Sequence, residues 1–198
     1  MGYGTAGGRH RAASPSGLRE EDRLMGLVRV RDVHAFEELY RIYQSRLVRF
    51  LTSFVHRPQM VEEVVNDTML VVWNRPDSFS GASKLSTWIF GIAYRKGLKA
   101  LRRRDDPVED PPRDRQASSD DDPERELGRQ KVHQVLLKAL DELSPDHRAV
   151  VNLTYFHHLG YREIAEIMDC PNDTVKTRMF HARRHLKRIL SGELADWI

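Results

Sequence analysis

The chain has one cysteine, Cys170, in 198 residues. No internal disulfide can form, and a reducing cytoplasm fits. No apolar run approaches the ~18–20 residues that a membrane-spanning helix needs, so no membrane insertion is expected. The arginines near the N-terminus are not followed by an apolar stretch of secretory type, so no leader is expected. Phosphate-loop chemistry is missing too: the run GTAGG at 4–8 has no preceding strand and no following GK[ST]. No HExxH is present, and His181 and His185, four apart, lie in a basic helical stretch that opposes cation binding. No metal site is expected, and Cys170 reads as structural or incidental. Strand-period alternation and internal repeats are absent, which leaves an all-α chain.

Charge is plentiful: 31% of residues are charged and 40% are hydrophobic. The net charge is only +3, but it is segregated. Residues 95–104 hold Arg95, Lys96, Lys99, Arg102, Arg103 and Arg104 without an acid. Residues 105–126 hold ten Asp and Glu against three Arg. Residues 174–188 hold six Lys and Arg and no acid. Two basic patches separated by an acidic stretch predict nucleic acid touched at two places.

The pattern divides the chain. Residues 1–17, rich in Gly, Ser and Ala, read as a disordered tail. A helical domain spans 18–104. It holds a short helix at 20–29 and a long one capped by Asp32, with Phe36, Leu39, Tyr43, Leu47, Phe50, Leu51 and Phe54 on one stripe. Pro58 ends that helix. A third, at 59–73, turns Val61, Val64, Val65, Met69, Val72 and Trp73 inward and Glu62, Glu63, Asn66 and Asp67 outward. A fourth starts near Leu85. Its Leu85, Trp88, Ile89, Ile92 and Leu101 can pack, while Phe90, Tyr94, Arg95, Lys96 and Lys99 leave or flank the stripe. Basic residues interleaved with aromatics suit an unpaired strand, with bases on rings and phosphates on cations. Trp88 reads equally well as core.

Residues 105–126 contain four prolines and form an acidic linker. Extended, it reaches about 75 Å, about two turns of duplex. The second domain spans 127–198. Its first helix packs through Val132, Val135, Leu136, Ala139, Leu140 and Leu143. Ser144-Pro145 is an N-cap followed by proline at the first helical position, and opens a helix using Ala149, Val150, Leu153 and Tyr155 or Phe156. Gly160 is expected to end that helix. Two helices follow around Asp169-Cys170-Pro171: a short one with Ile164, Ala165, Ile167 and Met168 on one side, and a basic one capped by Asn172 or Asp173. Small Ala165 lets them cross closely. The second domain therefore ends in a helix-turn-helix. Val175 and Met179 point into its core. The residues entering a major groove first are Asn172, Asp173, Thr174, Lys176, Thr177, Arg178 and His181, with Arg183, Arg184, Lys187 and Arg188 further along toward phosphate. Arg178 has the fork geometry for guanine; Lys176 suits phosphate.

Four segments in order resemble extracytoplasmic-function (ECF) sigma factors, the smallest group of the sigma-70 family of bacterial RNA polymerase initiation factors. They are AFEELYRIYQSRLVRFL (35–51), VEEVVNDTMLVVW (61–73), STWIFGIAYRKGLKALRRR (86–104) and LSPDHRAVVNLTYFHHLGYREIAEIMDCPNDTVKTRMFHARRHLKR (143–188). Arg95 stands where the family commonly has Asn, and Lys99 where it commonly has Asp. The resemblance implies a sigma region 2 domain at 18–104 and a region 4 domain at 127–198. It implies no catalysis, no cofactor and no small-molecule substrate. The implied partners are core RNA polymerase (largest-subunit clamp and flap) and promoter DNA, with an anti-sigma factor as a further candidate. Glu62, Glu63, Asn66 and Asp67 would dock on the polymerase. Duplex near minus thirty-five would meet the second domain. An unpaired strand near minus ten would meet Phe79, Ser80, Lys84, Thr87, Trp88, Arg95, Lys96, Lys99, Arg102 and Arg103. The alternative is a helix-turn-helix regulator acting on duplex without polymerase; it leaves the N-terminal domain unexplained.

Overall fold

The computed structural model describes residues 15–103 and 134–193. Among the described residues the chain is all-helical, with no strand. The elements are α1 (Pro15–Arg29), α2 (Val33–Thr52), α3 (Pro58–Asn74), a 3₁₀ turn (Pro76–Ser78), α4 (Leu85–Arg102), α5 (134–141), α6 (Pro145–Tyr155), α7 (Tyr161–Met168) and α8 (Asn172–Glu193). The expected acidic linker lies outside the described residues, as do Val132 and most of the N-terminal tail; α1 starts at Pro15, inside the stretch expected to be tail.

Local chemistry accounts for the helix ends. The Asp32 carboxylate accepts the Ala35 N–H at 2.9 Å and starts α2. Pro58 does not stop α2, which has already ended at Thr52; it occupies the first turn of α3, where a missing N–H costs nothing. Ser144 caps α6 and is followed by Pro145. Gly160 does not end α6. It is the N-cap of α7, and its N–H donates to the Glu163 carboxylate at 3.0 Å, while Phe156 ends α6. Asp169 closes α7 in the left-handed region, with φ 50 and ψ 54. The Cys170 N–H donates back to the Ala165 carbonyl at 3.1 Å.

The core runs through both halves. Leu39, Tyr43, Leu47, Phe50 and Leu51 of α2 are buried against α1, α3 and α4. The buried Glu21 carboxylate accepts the Tyr43 hydroxyl at 2.8 Å, with Arg46 at 3.5 Å, so this acid enters the core with partners. Gly97 sets the α2–α4 approach. A Cβ there would meet Phe54 Cε2 at 2.9 Å and Leu51 Cδ2 at 3.0 Å. Gly97→Ala should therefore lower unfolding free energy by about 1 kcal/mol, because overpacking of about 1–3 kcal/mol exceeds the helix-propensity gain of about 1. Urea titration of the purified chain checks this.

Helix α4 is buried on two sides. Phe90 and Tyr94 do not leave the apolar stripe; they are 0% and 3% exposed, because Phe90 packs on Phe50 and His157 and Tyr94 packs on Phe54 with its hydroxyl on Asp146. The Phe90 ring sits 5.3 Å from Phe50 and 4.7 Å from His157, which follows α6.

Candidate nucleic-acid and polymerase interfaces

The α8 surface follows from its sequence. Val175, Met179 and Ala182 are buried. The remaining positions put Asp173, Lys176, Thr177, His181, Arg183, Arg184, Lys187 and Arg188 in solvent, with Asn172 and Thr174 half-buried. Lys176 pairs with Asp173 at 2.9 Å, holding that exposed carboxyl below its ordinary range. The Thr177 hydroxyl is turned to the Asp173 carbonyl at 2.9 Å. Arg178 differs from its neighbours. Its guanidinium meets the Asp146 carboxylate at 2.5 Å and donates to Cys170 Sγ at 3.7 Å. The other Asp146 oxygen accepts the Tyr94 hydroxyl at 2.7 Å. Burial and the Asp146 acceptor push the Tyr94 phenol up, so it stays a donor at physiological pH. Burial outweighs Arg178 at Cys170 and pushes the thiol up, so it is not an activated thiolate.

On the other half, the 79–84 loop precedes α4. Gly81 has φ 78, a conformation that favours glycine. Ser80 and Lys84 are exposed. Phe79 is not: it is 6% exposed, its ring tilted on Trp88 at 5.4 Å, and its carbonyl accepts Arg29 at 2.6 Å. Thr87 is buried as well, with its hydroxyl unpartnered. The expectation that Phe79 and Thr87 face an unpaired strand is thereby corrected, because the loop folds its ring inward against α4. Trp88 is half-buried and packs on the core while keeping an edge in solvent. Glu21, Asp22, Met25, Arg29, Ser80 and Lys84 contribute to a cleft of about 420 Å³ beside the loop. Arg95, Lys99, Arg102 and Arg103 are exposed along α4, and Lys96 is half-buried.

The outer face of α3 exposes Glu62, Glu63, Asn66 and Asp67. Asn66 accepts the Tyr40 hydroxyl at 2.8 Å, and Asp67 pairs with Lys96 at 2.9 Å. Leu70, one turn further, is 53% exposed and was not singled out by periodicity. A second unexpected surface lies between α5, α6 and α8. There Leu136, Leu140, Tyr155, Phe156, Leu186 and Leu190 line an apolar groove of about 660 Å³. Tyr155 and Phe156 are 52% and 53% exposed rather than core. Among the described residues no three His, Cys, Asp or Glu side chains converge on a metal position, and no helix is long and apolar enough to cross a membrane.

Sigma-70 region 2 matches residues 39–106, and sigma-70 region 4 matches residues 133–186. The ECF RNA polymerase sigma-E factor of Escherichia coli K12 is 30% identical over 173 residues, covering 77% of this chain and 84% of that protein. The chain belongs to the ECF RNA polymerase sigma factors. The RNA polymerase sigma-H factor of Pseudomonas aeruginosa is 27% identical over 187 residues, covering 89% of this chain and 97% of that protein. Among solved structures, the sigma factor RpoE of Bartonella quintana, in complex with the anti-sigma factor NepR, superposes with a TM-score of 0.66 at 25% identity. That comparison covers 80% of this chain and 98% of that one. In this ECF sigma factor the region 4 match contains α6, α7 and the exposed Lys176, Arg183 and Arg184 of α8, and ends just before Lys187 and Arg188. The region 2 match contains α3, the loop and α4. Leu70 and the Tyr155–Phe156 pair carry a signal that could have found them: large apolar residues left over once each stripe is satisfied.

Proposed function

We propose that this ECF sigma factor binds core RNA polymerase, reads an upstream promoter element as duplex and captures a downstream element as an unpaired strand. The observation that carries the reading is two separate exposed basic faces, on α4 and α8, in one sigma-70 chain. The N-terminal part through residue 104 is the region 2 unit and residues from 127 on are the region 4 unit, joined by the acidic 105–126 segment. The α8 side chains Asn172, Asp173, Thr174, Lys176, Thr177, Arg178, His181 and Arg184 meet the duplex. Ser80, Lys84, Trp88, Arg95, Lys96, Lys99, Arg102 and Arg103 meet the unpaired strand. Glu62, Glu63, Asn66 and Asp67, extended by Leu70, dock on the polymerase clamp, and the apolar groove beside α6 takes the flap. The protein works in the cytoplasm without cofactor and performs no catalysis of its own; the polymerase does the chemistry. An anti-sigma factor, as in the Bartonella complex, fits as a regulatory partner.

Docking is tested by Glu63→Lys combined with Leu70→Ala. Both residues are exposed, so helical content should be unchanged. Affinity for core polymerase should fall about tenfold, about 1.4 kcal/mol. Unchanged affinity in a competition assay would remove α3 from the interface. Arg178→Ala should cost the holoenzyme about 1–3 kcal/mol on the upstream duplex and relax preference at one base pair, whereas Lys176→Ala should weaken all sequences alike and flatten the salt dependence. Binding to single-base variants at several salt concentrations separates these roles.

A further inference from the structure

The groove between α5, α6 and α8 is built from side chains left over once the core beneath it is complete. Val175, Met179 and Ala182 turn one stripe of α8 into that core. Leu186 and Leu190 continue the stripe and meet Leu136 and Leu140 of α5, with Tyr155 and Phe156 at the end of α6. The Tyr155 hydroxyl accepts the Arg183 Nε–H at 3.1 Å, so its polar edge is satisfied at the rim and its ring is left as wall. Arg183 and Lys187 are exposed along the same edge. An apolar floor with a basic rim suits a short apolar segment that carries an acid.

Such a segment stands next in the sequence. Residues 194–198, Leu-Ala-Asp-Trp-Ile, lie outside the described residues. Leu194, Trp197 and Ile198 are large and apolar, Asp196 is the only charge, and there is no cation, directly after a strongly basic helix. Reach suffices. From Glu193 back to the level of Leu186 is about 10 Å of helix, at about 1.5 Å per residue. Trp197, four positions past Glu193, can stand about 13 Å from it when the chain is extended. Gly192, in the last turn of α8, permits the reversal.

We propose that residues 194–198 dock in this chain's own groove, with Trp197 against Phe156 and Asp196 toward Arg183 and Lys187. A tether this short holds the segment at an effective concentration of about a millimolar or more, so contacts too weak to hold a free peptide hold it here. Seating Trp197 removes about 150–250 Å² of surface from water. The docking stands on the groove and the segment alone. Its consequence rests on the reading that the polymerase flap uses the same groove: the segment is then an occupant that the flap displaces. A site open for only a fraction of the time binds with an affinity reduced by that fraction.

The test labels the full chain with 5-fluorotryptophan and observes its three tryptophans by fluorine NMR, Trp197 being assigned by the signal lost in Trp197→Leu. In the folded chain the Trp197 signal should stand apart from its position in urea and be shielded from a soluble paramagnetic agent. Phe156→Ser and Tyr155→Ser, each at a position already half exposed, should return it to the urea position with helical content unchanged. Leu194→Ser/Trp197→Ser should raise affinity for core polymerase about threefold. A wild-type Trp197 signal at the urea position and open to the agent overturns the proposal, whatever the variants do. A shielded signal that both groove substitutions leave in place overturns it too, because the segment then packs elsewhere. Shielding lost on dilution gives the groove to a second copy of the chain and likewise overturns it. A shielded, Phe156-dependent Trp197 with unchanged polymerase affinity counts against the flap reading of the groove instead, and the docking stands.

Discussion

Phe90→Ala should lower the unfolding free energy by about 3–5 kcal/mol, the range for deleting a buried aromatic ring. The ring is wholly buried, edge-on to Phe50 and His157, with the Arg46 guanidinium 5.5 Å from its centroid. Its removal leaves a cavity between α2, α4 and the segment after α6. A loss of that size is a large fraction of a typical domain's stability of about 5–15 kcal/mol. Phe90→Leu, which fills much of the volume, should recover more than half. Urea unfolding of both variants measures the effect. A change under 1 kcal/mol for Phe90→Ala would mean that this face of α4 is not packed in solution.

Acid should weaken the same interface through His157. Burial, then Arg46 and Arg49, push the imidazole down from its ordinary value of 6.5 to about 4. Between these values the unfolded chain holds a proton that the folded chain refuses. The contribution of this residue is therefore fully present above pH 6.5 and is lost progressively as the pH falls toward 4. The shift corresponds to about 2–3 kcal/mol once remaining solvent contact is allowed for. His157→Phe, which keeps a ring against Phe50 and Phe90, should remove that part of the pH dependence. Stability of wild type and variant, compared from pH 7.5 to 4, isolates the histidine from the carboxylates common to both. Parallel curves would show that His157 is solvated when folded.

Much of this protein was legible from residue order because its helices announce themselves. The α2 stripe, the Asp32 and Ser144 caps and the inward Val175–Met179 pair depend on local spacing and hydrogen bonding, and all are found as expected. What could not be read was the second buried side of α4. Phe90 and Tyr94 fall outside a single stripe, and reading two independent halves leaves their second partners out; these are His157 for Phe90 and Asp146 for Tyr94, both far along the chain. The ion pair of Arg178 was hidden for the same reason: its Asp146 counter-ion lies 32 positions earlier, in the first turn of another helix. Phe79 sits in a loop rich in Ser and Gly, where periodicity carries no information on which way a ring turns. Gly160 fitted a helix end or a helix start, and only the Glu163 side chain reaching back to its N–H decides for the start.

The central claim is that this chain initiates transcription as a subunit of RNA polymerase. Mapping 5′ ends of transcripts made in vitro by core polymerase on fragmented genomic DNA, with and without the purified chain, tests it most directly. The account predicts a new set of start sites that appear only when the chain is present, share an upstream and a downstream element, and carry opened DNA at the downstream one. Identical start sites in both reactions, together with duplex binding that needs no polymerase, would contradict it.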